Sequence, residues 1–144
     1  MKTHHAAELF RAGFLCSQSI LAAFCDSYGL DRESALKIAS GLGSGMRRAE
    51  ICGAVSGAVL VIGLKDGYTD VKDRSTKKAC EGKVEEFLRL FAERNKGQIL
   101  CRDILGCDVT TAEGKQKARD EKLFTTVCVD MVVCAATLLE ELGY

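Results

Sequence analysis

The chain of 144 residues lacks several features that would place it in a common functional class. It contains no proline, so nothing forces a helix to break, and glycines mark the helix ends instead. Its 20 basic residues balance its 20 acidic residues, which removes any net electrostatic attraction to nucleic acid or to an anionic membrane. We therefore expect no nucleic-acid partner.

Long hydrophobic runs and export signals are also missing. The longest uncharged apolar run, Ile51–Leu64, is shorter than the roughly 20 residues that a membrane-spanning helix needs. The segment His4–Cys16 is amphipathic and has neither the apolar centre nor the cleavage site of a signal peptide. These features predict a cytoplasmic protein without a membrane span.

Several motifs and residue types needed for familiar chemistry are absent. The only histidines are His4 and His5, so a hydrolase with a nucleophilic cysteine would have its base at the N-terminus. No CxxCH is present for covalent haem attachment. The pattern GxxxxGK[ST] is missing, and GxGxxG is not completed after Gly43 and Gly45, which disfavours a nucleotide site.

Cysteine, in contrast, is abundant, with eight residues in the chain. In a reducing compartment, thiol chemistry or metal ligation is a better explanation of so many cysteines than structural disulfides. None of them forms the CxxC spacing of zinc ribbons, thioredoxin-like motifs or bacterial ferredoxins. A shared site would therefore have to be assembled by folding, from positions far apart in the sequence.

Apolar residues recur at helical spacing along most of the chain. The pattern predicts an all-α protein, with residues 1–144 forming a single domain: a compact bundle of five to six helices around a buried central helix. A surface loop is predicted up to Asp120. The predicted helical segments are His4–Tyr28, Arg32–Ser40, Ile51–Leu64, Thr76–Asn95, the short Ile99–Cys107, and a last helix from about Glu121 to Leu142.

The central segment carries a cysteine in an unusual setting. Cys52 lies near the start of the predicted helix, beside Arg47 and Arg48, a setting that lowers a thiol pKa and favours the thiolate. The alternative is a core helix with an inert buried cysteine. Small residues such as Gly53 and Gly57 would let a neighbouring helix or a second subunit approach closely, so a homodimer is a further expectation.

Five stretches of the sequence carry a resemblance to a known family. They are AAELFRAGFLCSQSILAAF, ASGLGSGM, CGAVSGAVLVIGLKDG, GQILCRDILGCD and a C-terminal helix with Cys128. Over nearly its whole length the chain resembles the C-GCAxxG-C-C family, whose members are described as putative redox-active proteins. A similar domain occurs in split-Soret-type cytochromes, where an iron–sulfur site is associated with it.

The resemblance implies a small helical domain with a redox role and four recurrent cysteines. On this pattern the catalytic or metal-ligating residues are Cys16, Cys52, Cys101 and Cys128. The remaining cysteines are expected to have core or surface roles: Cys25, Cys80, Cys107 and Cys134.

Three chemistries suit four convergent cysteines. Pairs of them could exchange electrons as dithiol and disulfide, with Cys52 as the attacking thiolate and a protein or small thiol as the redox partner. Four thiolates could instead hold an iron–sulfur cluster, or a structural zinc ion. Backbone N–H groups at Gly43, Gly45 and Gly53 would then contact the cofactor sulfur atoms. A binding module with inert cysteines is the remaining alternative.

Overall fold

The computed structural model describes Met1–Tyr144 and confirms the all-α class: it has no β-strands, and none of its helices has the length and apolar character to span a membrane. The expected five to six helices are too few, because the chain forms eight α-helices and one 3₁₀ turn. They are α1 (Lys2–Arg11), α2 (Cys16–Phe24), the 3₁₀ turn (Cys25–Tyr28), α3 (Arg32–Ala39), α4 (Gly53–Asp66), α5 (Arg74–Arg94), α6 (Cys101–Leu105), α7 (Ala112–Asp120) and α8 (Val127–Glu141).

The first difference from the predicted helices lies near the N-terminus. The predicted helix His4–Tyr28 is broken, because Gly13 adopts a φ of 114°, which no helix contains. The chain then restarts at Leu15, whose N–H donates to the side-chain carbonyl of Gln18 at 3.0 Å. Cys16 is therefore the first residue of α2 and not a mid-helix residue as predicted.

The second difference lies between residues 107 and 126. The predicted surface loop contains α7, which begins where the Thr111 hydroxyl accepts a hydrogen bond from the Gly114 N–H at 2.9 Å. Only Gly114 and Ala118 of α7 are buried, so the helix has no stripe of large apolar residues for a sequence pattern to detect. Lys122 has a φ of 56°, and α8 starts at Val127, later than predicted.

The buried central helix is confirmed as α4, whose Val55, Val61 and Ile62 side chains are fully buried. Its small-residue face packs against α2 of the same chain. A Cβ atom on Gly57 would lie 2.8 Å from the Ser17 carbonyl oxygen, so only glycine allows this approach. A homodimer stays a prediction, and it would need a surface other than this face.

Candidate functional site

A smaller apolar cluster lies beside the main core and is formed by α6, α7 and the start of α8. It comprises four buried residues: Cys101, Leu105, Val109 and Ala118. Between this cluster and the main core is a cavity of about 570 Å³, lined mostly by apolar side chains. This volume lies within the roughly 300–1,000 Å³ that is usual for small-molecule sites.

All four cysteines singled out by the resemblance line this cavity. We call it the cysteine cavity. Each cysteine comes from a different helix and lies near its N-terminus. Cys16 begins α2, Cys52 immediately precedes α4, Cys101 begins α6, and Cys128 is the second residue of α8. Folding therefore brings together four cysteines that are far apart in the sequence, which is why no local motif marks them.

Cys52 and Cys101 are brought together by a short stretch of antiparallel pairing. Ile51 forms an isolated β-bridge with Leu100. The Cys52 N–H donates to the Ile99 carbonyl at 2.8 Å, and the Cys101 N–H donates to the Glu50 carbonyl at 2.6 Å. This pairing fixes the start of α4 beside the start of α6.

Cys16 and Cys52 are brought together by the close packing of α2 on α4. A Cβ atom on Gly53, the residue after Cys52, would lie 2.3 Å from the Cys16 Sγ atom. Gly53 is thus required for Cys16 to occupy its position. The Gly53 N–H also lies beside the Cys16 sulfur, as do the N–H groups of Ser17 and Ser44.

The Ser44 N–H is positioned by an unusual backbone segment. Ser44, Gly45, Met46 and Arg47 have consecutive φ values of 53°, 61°, 57° and 61°, a left-handed turn. Each non-glycine residue in this conformation costs roughly 1–2 kcal/mol. Such strain is retained where the surrounding structure over-determines it, and it is concentrated at functional sites. We call Ser44–Arg47 the left-handed turn.

Two of the predicted cofactor-contacting glycines, Gly43 and Gly45, lie beside or within this turn. A side chain is excluded at Gly45, because an added Cβ atom would lie 2.3 Å from the Glu50 nitrogen; at Gly43 it would meet the Leu15 side chain at 2.9 Å, which can move. Of the three predicted glycines, only Gly53 places its N–H beside the Cys16 sulfur; the N–H groups of Ser17 and Ser44, which the sequence analysis missed, also lie beside it. A cofactor-binding role for Gly43, Gly45 and Gly53 stays a prediction.

The electrostatics of the site contradict the expected low pKa of Cys52. Burial raises the pKa of the Cys52 thiol, and a charge on Cys16 raises it further. The N–H groups of Ala54 and Val55 act in the opposite direction but do not outweigh burial. The Arg47 and Arg48 side chains are exposed and do not offset the effect of burial.

The other three thiols follow the same rule. Burial raises the pKa of Cys101 to about 11 and that of Cys128 to about 12, with a further increase in each from a charge on Cys16. Burial also raises the pKa of Cys16, despite its N–H neighbours. The four thiols are therefore neutral at neutral pH, and a charge on Cys16 disfavours the ionisation of the other three.

A fifth cysteine lies close to the site. Cys107 is half-buried and packs against the smaller cluster, as does Cys128. A charge on Cys107 contributes to the raised pKa values of Cys101 and Cys128. The sequence analysis gave Cys107 a core or surface role because the family pattern does not include it, and Cys107 does not line the cysteine cavity.

The three remaining cysteines belong to the main core. Cys25 is fully buried within it, and Cys80 and Cys134 pack against it. None of the three lines the cysteine cavity. Their expected core role agrees with this placement.

The spacing of the candidate ligands bears on which metal group could fit. No three His, Cys, Asp or Glu side chains lie close enough together to hold one metal ion. A tetrahedral four-cysteine zinc site needs such closeness and does not match this arrangement. An iron–sulfur cluster distributes its thiolates over separate iron atoms, so it accommodates more widely spaced cysteines around a cavity of this kind.

Fold and site together define a small all-helical protein with four cysteines around one apolar cavity. Residues 14–142 match the family model described as "Putative redox-active protein (C_GCAxxG_C_C)". The chain therefore belongs to this family, which confirms the resemblance noted in the sequence. No curated protein and no solved structure matches it.

Proposed function

We propose that this protein is a dithiol/disulfide redox protein whose chemistry takes place in the cysteine cavity, with Cys16 and Cys52 as the reacting pair. The observation that carries the proposal is the convergence of four cysteines from four helices on one cavity. Within that set, the Cys16 sulfur contacts the residue that follows Cys52, so these two are the best placed to form a bond.

The reaction needs a small disulfide as oxidant and proceeds by two exchanges. The Cys16 thiolate, which lies beside the N–H groups of Ser17, Ser44 and Gly53, attacks the oxidant, which forms a mixed disulfide and releases one thiol. The Cys52 thiolate then attacks the Cys16 sulfur, which releases the second thiol and leaves a Cys16–Cys52 disulfide. The protein loses two electrons and two protons, and the small disulfide gains both.

The surrounding backbone supports this chemistry at the sulfur atoms. The N–H groups beside Cys16 come from Ser17, Ser44 and Gly53, and those beside Cys52 come from Ala54 and Val55. Charge-assisted hydrogen bonds to a sulfur that carries transient negative charge lower the barrier to each exchange. Since burial keeps the resting thiols neutral, we expect exchange to be slow at neutral pH and to accelerate as pH rises.

A second candidate function is electron transfer through an iron–sulfur cluster. Thiol exchange needs only two cysteines, whereas four line the cavity, and four is the number that such a cluster requires. Cys16, Cys52, Cys101 and Cys128 would be its ligands. When bound, the cluster would supply one-electron transfer, and the backbone N–H groups near the sulfur atoms would tune its potential.

Metal analysis and disulfide mapping of protein purified without oxygen separate these functions. A disulfide joining Cys16 and Cys52 in iron-free protein supports thiol exchange. Matching amounts of iron and acid-labile sulfide support the cluster. Iron-free protein with thiols that do not react would leave only a binding module.

A pair of serine variants provides the matched control. Cys52→Ser should abolish the redox response or the metal content and leave the helical content largely intact. Cys134→Ser, outside the cavity, should change neither. Wild-type redox behaviour in Cys52→Ser would contradict the central role of this residue, and loss of the response in Cys134→Ser would move the site elsewhere.

A further inference from the structure

The cysteine cavity has a charge character that its redox chemistry alone does not explain. Three cationic side chains line it: Arg11 from the end of α1, and Lys115 and Arg119 from α7. No aspartate or glutamate is among its lining residues. None of these three cations forms an ion pair within 4.0 Å of any carboxylate in the chain.

The charges of α7 are divided between its two faces. Lys115 and Arg119 are four residues apart and face the cavity. The acidic residues Glu113, Asp120 and Glu121 lie on the opposite side, where Lys117 is 4.0 Å from Glu121. The helix therefore presents only positive charge to the cavity, although its composition is mixed.

Asp108 is an acidic residue whose charge acts on a cavity cysteine, but its side chain does not line the cavity. The charge of Asp108 contributes to the raised pKa of Cys101. Its carboxylate accepts a hydrogen bond from the Thr110 N–H at 2.9 Å and is not part of the cavity lining. Asp108 therefore forms no ion pair with Arg11, Lys115 or Arg119.

The other residues that line the cavity are mostly apolar and indicate the chemical character of the uncharged part of the ligand. Phe10, Phe14, Phe124 and Met131 are among the apolar side chains around the cysteines. Such surfaces favour an apolar or aromatic group, and the cations favour a negative charge on the same molecule. A cavity of about 570 Å³ is suited to a small molecule and not to a protein surface.

From the unpaired cations around the four-cysteine cavity, we infer that the redox substrate is a small anionic disulfide, or its thiol, with an apolar body and a carboxylate-like group. Arg11, Lys115 and Arg119 bind the anionic group and hold the sulfur end towards Cys16. This inference rests on the proposed thiol exchange. It adds to that exchange the chemical class of the oxidant, which gains two electrons and two protons and leaves as two anionic thiols.

The first test measures binding without redox chemistry, by nuclear magnetic resonance titration with naphthoate and with its neutral amide. We expect the wild-type protein to bind naphthoate about five-fold more tightly at low ionic strength. Lys115→Gln/Arg119→Gln should lose this preference. Lys117→Gln, on the opposite face of the same helix, should keep it. Equal binding of the two compounds to the wild-type protein, or a preference that survives in the double variant, would overturn the inference.

The second test uses the sulfur chemistry, with circular dichroism as the check that each variant is folded. Peptide mass spectrometry follows formation of the Cys16–Cys52 disulfide by the dianionic dithiobis(nitrobenzoate) and by the neutral dithiodipyridine. The double variant should react about five-fold more slowly with the anionic reagent and unchanged with the neutral one. Equal slowing with both reagents, or with neither, would refute anion recognition while leaving the thiol exchange in place. A naphthoate preference without disulfide formation by either reagent would refute the thiol exchange, and with it the assignment of a disulfide substrate.

Discussion

The main core and the region of the cysteine cavity are built in different ways. The main core comprises 21 buried residues from most of the helices and includes the large side chains Phe24, Phe87 and Phe91. The smaller cluster behind the cavity has four. It depends on short helices, and Ser44 of the left-handed turn lines the same cavity. The comparison indicates that the main core supplies most of the free energy of folding. This free energy offsets the backbone strain in the cavity region, where the cysteine sulfur atoms are held in place.

Replacing a leucine by alanine in each region should give the largest change in stability among the tests of this comparison. Leu138→Ala in the main core should lower the free energy of unfolding by about 3–5 kcal/mol, because a close-packed core cannot collapse around the missing atoms. Leu105→Ala in the smaller cluster should cost about 2–3 kcal/mol, since Leu105 already borders a cavity. Chemical denaturation measures both values. A larger cost at Leu105 would contradict the division of roles.

Two glycines of α4 test the boundary between the regions. Gly53→Ala should cost about 1–3 kcal/mol and suppress Cys16–Cys52 bond formation, because the added Cβ would lie 2.3 Å from the Cys16 sulfur. Gly63→Ala is the matched control: nothing lies within 4 Å of its added Cβ. It should stabilise the protein by about 0.5–1 kcal/mol. Denaturation and disulfide mapping check both variants, and normal disulfide formation in Gly53→Ala would refute the contact.

In the left-handed turn, replacing a residue by glycine should raise the free energy of unfolding, whereas such a change in a helix usually lowers it. Met46→Gly should stabilise the protein by about 1 kcal/mol, because an exposed residue is relieved of a φ of 57°. Gly45→Ala should destabilise it, since its Cβ would meet the Glu50 backbone. A thermal denaturation series compares the two variants. Destabilisation by Met46→Gly would indicate that the Met46 side chain matters more than the strain.

The pH dependence of thiol reactivity tests the burial of the cavity. With raised pKa values of about 11 and 12, Cys101 and Cys128 are neutral thiols at neutral pH. Their alkylation in reduced protein should be slow there and should continue to rise above pH ~9, where unfolded cysteines are already ionised. Peptide mass spectrometry of alkylated samples, with urea-unfolded protein as reference, measures this rise. A plateau near pH 8 would show that the thiols are more exposed than the structure has them.

Much of the fold could be predicted because large apolar residues repeat along α2, α4 and α5. The break near Gly13 was missed, since glycine alone does not end a helix. Helix α7 was missed because its buried residues are Gly114 and Ala118, which give no apolar pattern. A large apolar face therefore helped the prediction but was not always needed, since α3 was predicted although its buried residues are Ala35 and Ala39.

The site was less accessible to sequence reasoning. The four cavity cysteines came from the family resemblance, since their separations along the chain carry no motif. The Ser44 N–H could not be assigned, because it approaches the site through left-handed backbone that a serine disfavours. The expected low pKa of Cys52 was wrong because adjacent charges in sequence, Arg47 and Arg48, point to solvent while the thiol is buried.

The central claim is that redox chemistry belongs to the cysteines that line the cavity and not to Cys25, Cys80 and Cys134, which do not line it. Its most direct test is peptide mass spectrometry of iron-free protein equilibrated in mixtures of reduced and oxidised dithiothreitol, with free thiols alkylated at each ratio. The account predicts a Cys16–Cys52 disulfide that forms and disappears reversibly, while Cys25, Cys80 and Cys134 stay reduced throughout. If Cys16 and Cys52 remain free thiols at every ratio, or if a core cysteine is oxidised in their place, the account is contradicted.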